Sequence, residues 1–282
     1  MYRMKAVIAT THRDLHGDKM APSALEGMVR QVQKNYVPVL WNHDIRFPPL
    51  GRSIAASVIR LPDGELALET ESEYWESGDR LAVLNGDGRV LVTNHLDAPG
   101  FEIRVDRGLS GDDDRKAANE LAALAGAGRV PSEVGKKALE PDAVLVVAVG
   151  TVVGSIALGF FQHLGEDLYD QLKSRLSTFI AERHAPLLID FDITFERDGR
   201  RTLHVLLDGP RAADIEDVFD QRFDGLDVLV DTCLSQVADM DRVVVTWVDR
   251  GFLLNYAVRR DGVPVLTGRA IPDEPSGTST TS

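Results

Sequence analysis

Cysteine is almost absent. Cys233 is the only one in 282 residues, which excludes an intramolecular disulfide and a cysteine-built metal cluster. It sits among Leu229, Val230 and Leu234, where a small buried hydrophobe is expected, and this usage fits a reducing compartment. Basic residues are in deficit too: Lys and Arg total 31 against 44 Asp and Glu, a formal net charge of -13. Binding that depends on neutralising phosphates is therefore not expected, and no nucleic-acid partner is assigned. A secretory leader has no counterpart either. The apolar stretch at residues 6–9 is too short for a signal-peptide core and polar residues follow at once, so the expected location is cytoplasmic. What remains is an ordinary globular balance of 44% apolar and 27% charged residues, which excludes a disordered or collagen-like chain and supplies packed cores for one large domain or two to three small ones.

Turn signals and periodicity divide the chain into an α+β multidomain arrangement. Residues 1–98 read as short strands and turns: apolar runs at 37–41 and 54–61, then Pro62-Asp63-Gly64 as a hairpin turn before 66–68. One helix is expected near residues 22–33, with Ser23 three residues before Glu26 in a capping-box spacing. Asn85-Gly86-Asp87-Gly88 precedes a strand candidate at 89–93, and Ala98-Pro99-Gly100 marks a boundary. In the second segment, 101–184, a strand at 101–105 is followed by Asp112-Asp113-Asp114, suited to the positive end of a helix over 115–124. The third, 185–271, reads ββαββ. Strands at 187–195 and 202–207 flank the turn Arg197-Asp198-Gly199-Arg200, a helix spans 212–234, and strands at 242–248 and 253–258 flank Asp249-Arg250-Gly251. Residues 272–282 have nothing to bury and are expected to be disordered.

Residues 143–162 read AVLVVAVGTVVGSIALGFFQ without a charge. As one helix this run would be about 30 Å long, enough to cross a bilayer. Gly150 and Gly154 form GxxxG, and Ser155 and Gly159 continue a small-residue face of the kind that lets helices approach in lipid. Six valines, three glycines, Thr151 and Ser155 suit equally a buried helix of a soluble domain. Both readings predict a central long apolar helix, the first with membrane contact through 143–162 and an inner-membrane association. An amphipathic helix follows, with Leu168, Leu172, Leu176 and Ile180 at four-residue steps.

The first site candidate is Leu40-Trp41-Asn42-His43-Asp44, followed by Pro48, Pro49, Leu50 and Gly51 and preceded by Asp14, Gly17 and Asp18. Over residues 5–72 these features resemble the phage prohead proteases, capsid-maturation serine proteases whose fold is related to herpesvirus assemblins. That family carries an early Asp-rich GD motif, an apolar strand ending in His-Asp, a Pro-x-Gly turn and a hairpin with Asp-Gly. The resemblance implies that His43 is a general base, since a near-neutral imidazole takes a serine proton and returns it to the leaving amine. The family's Leu-Ser-x-Gly-Phe strand, about fifty residues beyond the base, has no copy here: Leu91-Val92-Thr93-Asn94-His95 stands at that distance. Thr93 is the first candidate for a hydroxyl nucleophile, with His95 as a third member. Ser110, in Arg107-Gly108-Leu109-Ser110-Gly111, matches by letters but precedes an acidic helix start and reads more readily as a cap. A metal set of His12, Asp14, His16, Asp18 and His43 is less favoured, because the Gly17-Asp18 turn is what the family resemblance implies; no metal and no cofactor are assigned.

Residues 101–208 are similar in layout to the effector-associated constant component of bacterial conflict systems. The matching pieces are residues 101–105, Asp142-Ala143-Val144-Leu145-Val146-Val147, residues 172–175 and Asp198-Gly199-Arg200. The resemblance implies a component that accompanies effector enzymes, proteases among them, without catalytic residues of its own. The favoured expectation is thus an accessory or effector component of a defence system, with a catalytically degenerate prohead-protease-like domain that binds a protein partner or self-associates. The alternative is an active self-processing serine- or threonine-type endopeptidase. The C-terminal strand 242–248 carries apolar groups on both faces, so one face is expected under the 212–234 helix and the other under residues 101–208 or another molecule.

Overall fold

The computed structural model describes residues 2–13, 19–40, 44–75, 90–91, 101–105, 116, 120–121, 123–124, 143–183, 187–221 and 223–268. They form two sheets with five short helices. The first sheet contains β1 (Tyr2–Thr10), β2 (Asn35–Val39), β3 (Gly51–Arg60), β4 (Leu66–Tyr74) and β5 (Val90–Leu91), in the order β1-β4-β3-β2-β5. Helix α1 (Pro22–Lys34) packs on β3 and β4 and buries Leu25 and Val32. Its cap is Ala21, with no side-chain hydrogen bond, so the Ser23–Glu26 capping box does not form. Pro22 opens the helix instead, since it has no N–H to satisfy in the first turn.

The β3–β4 hairpin turns at Gly64, whose φ of 89° is left-handed, with the Leu61 amide donating to Glu65 O at 2.8 Å. Three strands are tied by one buried carboxylate: Glu73 accepts from Arg3 of β1 at 2.7 Å and from Arg52 of β3 at 3.0 Å. Gly51 has a steric role. A Cβ there would lie 2.0 Å from Glu73 O, so only glycine lets β3 begin this close to β4.

The second sheet has the order β12-β11-β10-β9-β8-β7-β6. Its strands are β6 (Phe101–Val105), β7 (Ala143–Val153), β8 (Leu187–Glu196), β9 (Arg200–Asp208), β10 (Met240–Val248), β11 (Gly251–Arg259) and β12 (Pro264–Thr267). The pairs β7–β8 and β9–β10 are parallel and the others antiparallel. Parallel neighbours need crossovers, and helices supply both. Helices α2 (Ile156–Leu164) and α3 (Glu166–Ala181) connect β7 to β8, while α4 (Ala212–Asp220) and α5 (Leu226–Gln236) connect β9 to β10. All four pack into one core with alternate residues of the strands, among them Leu145, Val147, Phe191, Ile193, Val205 and Val243. Phe160 stands at its centre, with the rings of Tyr169, Phe191, Phe219 and Phe223 around it.

The expected long apolar helix at 143–162 is corrected by this arrangement. Its first eleven residues are β7, an interior strand paired with β6 and β8, and its residues 156–162 belong to a nine-residue helix. A strand covered on both faces is a near-continuous apolar run, and valine favours it, so missing charges did not imply a helix. Gly154, at φ 89°, breaks the run, and the Ser155 hydroxyl caps α2 by accepting from the Leu158 amide at 3.2 Å. Gly159 does allow close approach, but of α2 to its own strand: a Cβ there would lie 2.0 Å from Val152 Cγ1. Among the described residues no helix is long and apolar enough to cross a membrane. The single helix expected over 212–234 is likewise two helices, broken where Phe223 and Gly225 take positive φ.

Candidate functional site

The helix-free face of the second sheet carries the chemistry. Along β8 the residues opposite the helical core are Leu188, Asp190, Asp192 and Thr194; along β9 they are Thr202, His204, Leu206 and Asp208. Arg242, Val244 and Thr246 of β10 follow, then Asn255 and Tyr256 of β11. Strand alternation puts the β8, β9 and β10 residues on one face, and the register shift in the β10–β11 pairing between Val244 and Val245 leaves Asn255 as an extra residue that shares it with Tyr256. In register, Asp192 lies opposite His204 and Thr202 opposite Arg242.

This face is not open to water. Asp190 and His204 are 5% and 7% exposed, and Asn255 and Tyr256 fully buried. The cover includes a strap from the first sheet's segment, residues 44–46. Ile45 packs against the buried cluster of Leu188, Leu206, Val244, Tyr256 and Val258. The Tyr256 hydroxyl donates to Ile45 O at 2.9 Å, and Asn255 Nδ2 donates to Arg46 O at 3.2 Å. Arg46 bridges Asp44 at 2.8 Å and Asp208 at 2.7 Å, and the Asp44 hydrogen bond, aided by Asp208, raises its pKa despite desolvation. The second cover of the C-terminal strands therefore includes a piece of the N-terminal region, where residues 101–208 or another molecule were expected.

His204 is the central group. Its Nδ1 lies 3.0 and 3.1 Å from the two Asp190 oxygens, so Nδ1 is the protonated donor, and Nε2 is buried with no hydrogen-bond partner among the described residues. Burial works against the imidazolium, but the charges of Asp190 and Asp192 and the Asp190 hydrogen bond outweigh both burial and Arg242, and the net shift is upward. Burial pushes the Tyr256 phenol upward as well, which keeps it a donor to the strap. An imidazole oriented by a carboxylate can hold and release a proton at Nε2. Among the described residues no hydroxyl is bonded to it, so a nucleophile–base pair is not assembled there.

His43, Thr93, His95 and Ser110 lie outside the described residues; Asp44, the second residue of the His-Asp pair, is the first residue of the strap. Of the weighed metal set, His12 bonds Asp63 at 2.6 Å on the β3–β4 turn, and Asp14, His16, Asp18 and His43 are outside the described residues. Among the described residues no group of three metal-ligating side chains comes together. Sequence reasoning missed Asp190, His204, Arg242 and Tyr256. The signal was present in Leu187-Leu188-Ile189-Asp190-Phe191-Asp192-Ile193-Thr194, whose alternation reads as a solvent face until a cover is known.

Comparison of the chain with protein-family models, with curated proteins and with solved structures finds no match in any of the three.

Proposed function

We propose that this protein is a cytoplasmic accessory or effector component of a bacterial defence system, in which a prohead-protease-like sheet serves as a non-catalytic scaffold joined to a partner-binding α/β module. One observation carries this reading. The segment that begins at the Asp of the His-Asp pair is engaged as a clasp: Asp44 bonds Arg46, Arg46 reaches Asp208, and the Ile45 and Arg46 carbonyls accept from the second sheet. Asp44, tied in this way to a segment that both sheets hold, has a structural role of its own. Two further observations accord with the two resemblances. The apolar strand β2, then Gly51 at the start of β3 and the β3–β4 hairpin at Asp63-Gly64, follow the order that the prohead-protease resemblance implies. The order β6, β7, α3 and a β8–β9 hairpin at Asp198-Gly199-Arg200 follows the layout of the conflict-system component.

The test separates scaffold from enzyme. Purified full-length protein, aged and sampled by intact mass, is expected to stay uncleaved and unlabelled by a fluorophosphonate probe. Fragments that accumulate with time and vanish in His43→Ala would replace the scaffold with the self-processing endopeptidase. For the biological setting, deleting the coding sequence is expected to raise phage plating efficiency in the native host, and unchanged plating across a phage panel would remove the defence assignment.

A further inference from the structure

β1 is the outer strand of the first sheet. Among the described residues β4 is the only strand paired with it, so its other edge carries a row of backbone N–H and C=O groups that a further strand could use. One face of β1 carries a charge pattern that stops at that edge. Arg52 of β3 and Arg3 of β1 both stand opposite Glu73 of β4, a cross-strand row of cation, acid and cation with contacts of 3.0 and 2.7 Å. Lys5 follows Arg3 on the same face, opposite Glu71 and 3.9 Å from Glu69. The Arg3 and Lys5 side chains are 62% and 63% exposed. On the other face of the strand stand Tyr2, stacked on Tyr74 at 5.0 Å, and Met4, both exposed.

We propose that β1 is a docking edge for an extended segment of a partner protein in which acidic residues alternate with apolar ones. A strand added there sets its acids beside Arg3 and Lys5, continuing the alternation of charge across the sheet, and its apolar side chains beside Tyr2 and Met4, while backbone bonds supply affinity. A second copy of β1 fits less well. The pairing of β1 with β4 shifts register between Val7 and Ala9, a bulge that limits regular pairing to residues 2–7. An antiparallel two-fold pair must be centred on a residue, because residues directly opposite each other share a face. Centred on Arg3 or Lys5 it would oppose that cation to its own copy, and centred on Met4 it would oppose Arg3 to Lys5, each an unfavourable like-charge contact. Centred on Ala6 it would leave only residues 5–7 to pair. An acidic partner meets none of these costs. The inference rests on the first sheet alone and does not depend on the defence setting.

Titration of isotope-labelled full-length protein with the blocked peptide acetyl-Glu-Val-Glu-Val-Glu-Val-amide, followed by NMR at low salt, tests this. Saturable shifts are expected in β1, with slowed hydrogen exchange of those β1 amides that do not bond β4, and affinity should fall as ionic strength rises. Lys5→Glu turns an opposite-charge contact into a like-charge one and is expected to weaken binding by about tenfold. On the unaltered protein, the same peptide with Lys in place of each Glu is expected to leave β1 unshifted. Absence of β1 shifts at millimolar acidic peptide, or equal binding of the acidic and basic peptides, would overturn the proposal. So would protection of β1 amides that rises with protein concentration alone, which would assign the edge to a second copy.

Discussion

The hydroxyl of Tyr256 donates to the backbone carbonyl of Ile45 across 2.9 Å, joining residues 211 positions apart in the chain. Tyr256 stands on β11, fully buried, and the Ile45 side chain packs against the apolar cluster to which Tyr256 belongs. The two sheets are therefore tied by a contact in which a polar bond and an apolar seat fall together.

Tyr256→Phe keeps that seat and removes the donor. The Ile45 carbonyl loses one partner, and a net loss of about 0.5–1.5 kcal/mol is expected. Urea denaturation should show a lower midpoint with an unchanged m-value, since the surface exposed on unfolding is the same.

The Asp190–His204 pair makes stability depend on pH in a defined direction. His204 has a folded-state pKa above its unfolded value near 6.5, so its contribution is complete below about pH 6.5 and fades as pH rises through the folded value. Denaturation free energy should therefore decline from about pH 6.5 up to the folded value and level off above it. Asp190→Asn is expected to flatten the decline and to cost about 3–5 kcal/mol at acidic pH, because a buried cation loses its direct partner. An unchanged slope in the variant would show that another group controls it.

Phe160 is fully buried, with four aromatic rings around it. Phe160→Ala should cost about 3–5 kcal/mol, the range for emptying a large aromatic site. Leu158, more than half exposed on the same helix, is the control, and Leu158→Ala should stay within about 0.5 kcal/mol as surface changes usually do. Equal effects at the two positions would contradict the orientation of α2 against β7.

Gly51→Ala tests whether the Pro-x-Gly spacing reflects packing. The added Cβ would meet Glu73 O and displace β3 from β4, an overpacking cost of about 1–3 kcal/mol. Gly27, whose added Cβ would have only Arg30 Nη2 near it, at 3.9 Å, should tolerate alanine and gain helix propensity.

Much of the fold was legible before any coordinates. The strands at 101–105, 187–195, 202–207 and 242–248 and the turns at Asp63-Gly64, Asp198-Gly199 and Asp249-Arg250 stand where alternation and turn chemistry put them, because side-chain period and φ preference are local properties. The amphipathic helix with Leu172 and Leu176 was equally readable, its apolar stripe being sufficient to orient it. Two things were not local. Residues 143–153 have a composition that either an interior strand or a buried helix satisfies, and only the neighbours β6 and β8, which complete the backbone hydrogen bonds, decided for the strand. Asp190, Asp192, His204 and Arg242 alternate with apolar residues as a wet strand face would. It took a strap some 150 residues earlier in the chain to contribute to their cover, and burial, which turns ordinary surface charges into a coupled and proton-sensitive group, belongs to no single stretch of sequence.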